Sequence, residues 1–179
     1  PYTTLFRSLV SGAEAELFRG LAPAAADRIA VVENGVDTDH FRPGADHPDP
    51  YPAGCRPLVF TGAMDYWANV DAVRWLAEGV LPTIRARRPE AVFYVVGARP
   101  TEEVRRLERL PGVVVTGRVP DTRPYLAHAR LAVAPMRIAR GIQNKVLEAM
   151  AMARPVLATG PALDGLDLGG DYPLVADSS

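Results

Sequence analysis

Lysine is almost missing from this chain: among 20 Lys and Arg residues in 179, Lys145 is the only lysine. Cysteine is as scarce. Cys55 stands alone, which excludes an internal disulfide and points to a reducing compartment. The three histidines (His40, His47 and His128) lack the spacing of a metal site. No apolar run approaches the roughly eighteen residues that span a bilayer. Net charge is -1 and no arginine-rich face with interleaved aromatics occurs, so nucleic acid is not the expected partner. Glycine motifs are also lacking. FTGAMDYWAN offers one glycine where a nicotinamide site would carry GxGxxG, no GxxxxGK[ST] marks a P-loop, and no GxSxG marks a hydrolase.

What is present is a soluble globular composition, 48% apolar and 23% charged. Residues 1–8, PYTTLFRS, read like a translated sequencing adapter and are set aside from the fold. Ser11 is placed to cap a helix over Ala13–Gly20, and Ile29–Val32 reads as a short strand. Residues 34–56 open on the turn signal Asn34-Gly35 and are rich in Pro and Asp, as expected of a solvated interdomain connector. The Asp37-Thr38-Asp39 triplet and His40 and His47 belong to it.

From residue 57 onward, apolar strands alternate with helices. Strands are expected at Leu58–Thr61, Val92–Val96, Val113–Thr116, Leu131–Ala134, Val156–Ala158 and Leu174–Ala176. The clearest helix starts with Asn69 as its cap, and Pro82 should kink it or begin a second one. Thr101–Leu110, Thr122–Ala129 and Asn144–Ala153 are further helices. Unalternating apolar strands separated by helices predict an α/β fold, a Rossmann-like doubly wound parallel sheet. Its common strand order is 3-2-1-4-5-6, with ligands bound where that order reverses.

The reversal lies between the first and fourth strands, so the crevice is expected between the loops 62–68 and 135–143. Gly62 in the first loop would let the backbone approach a ligand closely. The second loop carries Arg137, Arg140 and Gly141 and leads to Lys145 at a helix start, where the backbone already presents about half a positive charge. Cations there make sense if an anion is held between them and the free N–H groups. Glu148 is three residues beyond Lys145. The two could form a solvated pair worth about 0.2–0.5 kcal/mol, or could serve a ligand that is both phosphorylated and hydroxylated.

NGVDTDHF, LVFTGAMDYWANVDAVRWL and above all RGIQNKVLEAMAMARPVLAT resemble the retaining GT-B glycosyltransferases of family 4, the group 1 glycosyl transferases, especially those of exopolysaccharide and PEP-CTERM export systems. This resemblance implies that residues 57–179 bind a nucleoside-diphosphate sugar and that residues 9–33 are the end of an acceptor-binding domain. It places Glu148 on the ribose hydroxyls, the stretch from Gly141 through Gln143 and Asn144 to Lys145 against the diphosphate and sugar, and the backbone of Arg118 and Val119 at the base. Where much of the family has a first glutamate touching the donor sugar, this chain has Arg140, which would add to diphosphate neutralisation.

The implied reaction is transfer with retention to a polysaccharide or lipid-linked acceptor, in the cytoplasm or at the inner face of its membrane. No cofactor or metal is expected, and the chain alone is expected to be inactive. A GT-B-like sugar-nucleotide epimerase and a nucleotide-binding module without catalysis are the alternatives. A sequence that uses arginine everywhere else selects lysine here for a compact ammonium. Lys145→Arg should therefore weaken donor binding in a titration more than it lowers the melting temperature.

Overall fold

The computed structural model describes residues 7–9, 11–139 and 141–166. Five of the six expected strands form one parallel sheet. They are β3 (Arg56–Thr61), β4 (Ala91–Val96), β5 (Val113–Gly117), β6 (Leu131–Ala134) and β7 (Val156–Ala158), in the order β5-β4-β3-β6-β7. Counted from β3, that is 3-2-1-4-5. The expected strand Leu174–Ala176 lies outside the described residues.

Successive side chains of a strand point to opposite faces, and both faces of this sheet are covered. Phe60, Phe93 and Val95 face one apolar cluster with Val73, Leu81 and Val104. Val59, Tyr94 and Val96 face the other, with Leu126, Ala149 and Met152. The first face is covered by α2 (Trp67–Trp75), α3 (Leu81–Arg87) and α4 (Glu102–Arg106). The second is covered by α5 (Arg123–His128) and by Ala149 of α6 (Asn144–Ala151), whose Val146 packs in the first cluster.

One expectation about α2 changes. It begins at Trp67, so Asn69 is within the helix rather than its cap. The Asn69 side chain turns inward and its Nδ2 donates to the Ala63 carbonyl at 2.9 Å, tying the helix to the loop after β3. Pro82 begins a second helix, one of the two outcomes expected of it. Residues Leu76–Val80 form a π-type turn, and Pro82 falls in the first turn of α3, where a missing N–H removes little.

Before the main sheet, β1 (Arg7–Leu9) and β2 (Ile29–Val31) pair in parallel, with α1 (Gly12–Leu21) between them. Ser11 caps α1 as expected, its hydroxyl accepting the Glu14 N–H at 3.3 Å. Arg7 and Ser8, set aside on sequence grounds, nevertheless supply two residues of β1. Strand pairing uses backbone groups that any extended residue provides.

The connector has no regular element, but it is not the solvated strand of chain expected. Tyr51 is buried, its hydroxyl donates to the Tyr125 carbonyl at 2.6 Å, and its ring meets Tyr94 edge-on at 4.7 Å. Phe41 packs on the same cluster. His40 is exposed as expected, whereas His47 is partly buried with its Nε2 shielded from solvent. Asp37 serves the chain locally, its carboxylate accepting the N–H groups of Asp39 and His40 at 3.0 and 2.9 Å. Tyr51→Phe removes the donor that anchors this segment and should cost about 1–2 kcal/mol in urea unfolding. An unchanged midpoint would show that the hydroxyl contact holds nothing.

Candidate functional site

The carboxyl ends of β3 and β4, the turn after β5 and the start of α6 enclose an open cavity of about 600 Å³. It lies at the expected reversal of strand order, because β3 is flanked by β4 on one side and β6 on the other. Thr61, Gly62 and Ala63 form one edge, Val96 to Arg99 the next, then Arg118, Val119 and Thr122, and finally Ile142 to Lys145 with Glu148.

The floor depends on one glycine that sequence reasoning missed. A side chain at Gly97 would place its Cβ 1.7 Å from the carbonyl oxygen of Gly62, so the ends of β3 and β4 touch backbone to backbone. Gly62 itself is constrained from within, since a Cβ there would meet Asn69 Nδ2 at 2.8 Å. The hint was a glycine directly after the strand in VVGAR. Its necessity comes from the neighbouring strand and is invisible in spacing.

Lys145 is the electrostatic centre of the cavity. Its Nζ donates to Gln143 Oε1 at 3.0 Å and sits 5.1 Å from the centroid of the fully buried Phe60 ring. Burial pushes its amine down from 10.5 to about 8, while the nearby Glu148 carboxylate works the other way. Burial likewise pushes the Glu148 carboxyl up, against the opposing fields of Lys145 and His40. Around them, α6 begins at Asn144 without a side-chain cap, leaving N–H groups at its start for a ligand.

Of the nine residues singled out from the sequence, Gly62, Val119, Gln143, Asn144, Lys145 and Glu148 come together here. Arg137 does not line the cavity. Its guanidinium forks onto Asp71 of α2, Nε to Oδ2 at 3.0 Å with a second, shorter contact from Nη2 to Oδ1. A bidentate carboxylate is a better partner for a planar guanidinium than open solvent, and a partner 66 residues away leaves no trace in local spacing. Gly141 lines a separate hollow with Ser11, Glu14, Leu17 and Gly165. Arg140 lies outside the described residues. The expected meeting of three cations is thus reduced, among the described residues, to Lys145 from that loop. Arg118 and Arg99 join from the opposite wall, Arg99 paired with Asp65.

No three His, Cys, Asp or Glu side chains among the described residues are grouped as a metal site would need. No described helix is long and apolar enough to cross a membrane.

The family model "Glycosyl transferases group 1" matches residues 56–174, from β3 onward. The chain belongs to the group 1 glycosyl transferases. Its fold is that of several solved GT-B glycosyltransferases. A glycosyltransferase from Rickettsia africae is 17% identical with a TM-score of 0.67, over 88% of this chain and 45% of that one. WaaG, a glycosyltransferase involved in lipopolysaccharide biosynthesis, is 18% identical with a TM-score of 0.66, over 86% and 44%. HepE of Anabaena, solved in complex with UDP and glucose, is 17% identical with a TM-score of 0.62, over 92% and 47%. The chain thus spans less than half the length of these structures. No curated protein matches it in sequence.

The single lysine makes this group 1 glycosyl transferase chain simple to probe. The Lys145 Cε resonance needs no assignment, and in an NMR titration its midpoint should fall near 8. The sign for stability follows from the folded value being the lower one. The cost of burying the ammonium is fully present below about pH 8 and is relieved as pH rises from there towards 10.5. A midpoint at 10.5 would mean the amine is solvated.

Proposed function

We propose that this chain binds the donor of a glycosyl transfer, a nucleoside-diphosphate sugar, and that the whole protein passes the sugar to a polysaccharide or lipid-linked acceptor with retention of configuration. The observation that carries this reading is Lys145, a half-buried ammonium at an uncapped helix start, lining a cavity at the strand-order reversal. Such a charge is unfavourable without an anion, and a diphosphate supplies one.

In this reading the domain's share of catalysis is to stabilise the departing diphosphate. Negative charge grows on it as the glycosidic bond breaks, and Lys145 with the N–H groups at the start of α6 meets that charge. Arg140 is assigned the same task, and Arg118 faces the site from across the cavity. Arg137 is committed to Asp71 and is left out of the clamp. Protein cations would supply the charge that a metal provides elsewhere, so none is required. Glu148, whose carboxyl is partly buried one turn into α6, would accept hydrogen bonds from the ribose hydroxyls. Arg118 and Val119 would meet the base with their backbone groups. Among the described residues Glu148 is the only acidic one lining the cavity, which disfavours an epimerase that needs several acid–base groups.

HepE was solved with UDP and with UDP-glucose, and TarM with UDP, which supports a nucleotide donor for this fold. The family resemblance supports exopolysaccharide assembly, in the cytoplasm at the inner face of the membrane. Transfer is proposed for the whole protein and donor binding for this chain.

Calorimetric titration of the chain with UDP, GDP and ADP tests the reading, and at least one should bind. Lys145→Met should weaken that binding by about ten- to a hundredfold without lowering the melting temperature. With the ammonium required, affinity should drop about tenfold between pH 7 and pH 9, and EDTA should not alter it. Absence of binding by all three nucleotides would overturn the assignment.

A further inference from the structure

The first turn of the connector reaches a residue that lines the cavity. The side-chain amide of Asn34 donates through Nδ2 to Oδ1 of Asn144 at 3.1 Å, across 110 residues of sequence. Asn144 is the first residue of α6 and lines the cavity beside Lys145. A second contact is made six residues further along the connector, where the His40 carbonyl accepts from Arg123 Nη1 at 3.4 Å. Arg123 is the first residue of α5, and Thr122 before it lines the cavity wall facing α6. Asp121 holds the same guanidinium in place through Nε and Nη2, at 3.0 and 2.7 Å. One short segment therefore touches the starts of both helices that border the cavity.

We propose that Asn34 is a positioning residue for the donor: by donating to Asn144 Oδ1 it sets the sense of that amide, leaving the Nδ2 hydrogens of Asn144 to face the anion. This rests on the nucleotide-donor reading and adds a residue outside the cavity to it. A primary amide has one acceptor end and one donor end. If the oxygen of Asn144 turned to the diphosphate, it would repel the group that Lys145 and the helix start attract. Occupying that oxygen from behind removes the unfavourable orientation. The same bond ties donor recognition to the segment that carries the preceding part of the chain, so a shift of the connector changes the cavity directly.

The test is a double-mutant cycle in the whole chain, with binding of UDP, GDP and ADP measured by calorimetry and the melting temperature by circular dichroism. Asn34→Ala should weaken nucleotide binding about three- to tenfold while leaving the melting temperature unchanged. In an Asn144→Ala background the same change should have no further effect, because the group through which Asn34 acts is gone. Asn34→Asp, of nearly equal size but unable to donate, should weaken binding at least as much as Asn34→Ala. Wild-type affinity in Asn34→Ala, or equal losses in both backgrounds, would overturn the proposal and leave the donor reading standing. Failure of the unaltered chain to bind any of the three nucleotides would overturn both.

Discussion

A partly buried ammonium placed at the positive end of a helix is an arrangement that a folded chain without a ligand does not favour. Burial withdraws water from Lys145, and the dipole of α6 adds a like charge at the same point. Three neighbours offset this in part: the π face of Phe60, the Gln143 side-chain oxygen and the field of Glu148. Phe60 occupies its position because it lies inside the central strand of the sheet, and Gln143 because it precedes the helix. The sheet, the loop and the helix thus converge on one charge. An anion beside it would relieve that cost.

Several arginines near the cavity are committed to carboxylates. Three of them fork onto carboxylates in or beside the loops at the carboxyl edge of the sheet. Arg99 after β4 holds Asp65 after β3, Arg137 after β6 holds Asp71 of α2, and Arg123 holds Asp121 within the turn before α5. All six side chains are partly exposed, so solvent screens each pair and its effect on stability is small. Their value lies in geometry, since a planar fork fixes both distance and orientation where an ammonium fixes only distance. Arg99–Asp65 joins the loops after β4 and β3, and Arg137–Asp71 joins the loop after β6 to α2.

The connector belongs to the same frame. Tyr51 anchors it through an aromatic cluster on the second face of the sheet, and its first turn reaches α6 through Asn34. A segment held at both places can transmit a displacement to the cavity, whereas a solvated tether could not. Family membership rests on the stretch from β3 onward, yet residues 34–51, which lie before it, make contacts with Asn144 and Arg123 at the starts of α6 and α5.

What the sequence determined by itself was periodic or local. Unalternating apolar runs such as those of β3 and β4 specify strands buried on both faces. The helix formers of α6 and the switch between strand and helix specify the wound order, and that order by itself locates the crevice. Lys145 and Glu148 could be singled out because they share one short helix, whose geometry is set within a few residues. Only the tertiary structure decided which cations face the cavity, because Arg137 is claimed by a carboxylate 66 residues away. It also decided that Gly97 must lack a side chain, that Asn69 ties a loop rather than caps a helix, and that the connector docks. Each of these depends on a group brought close by folding, and separation along the chain carries no information about that proximity.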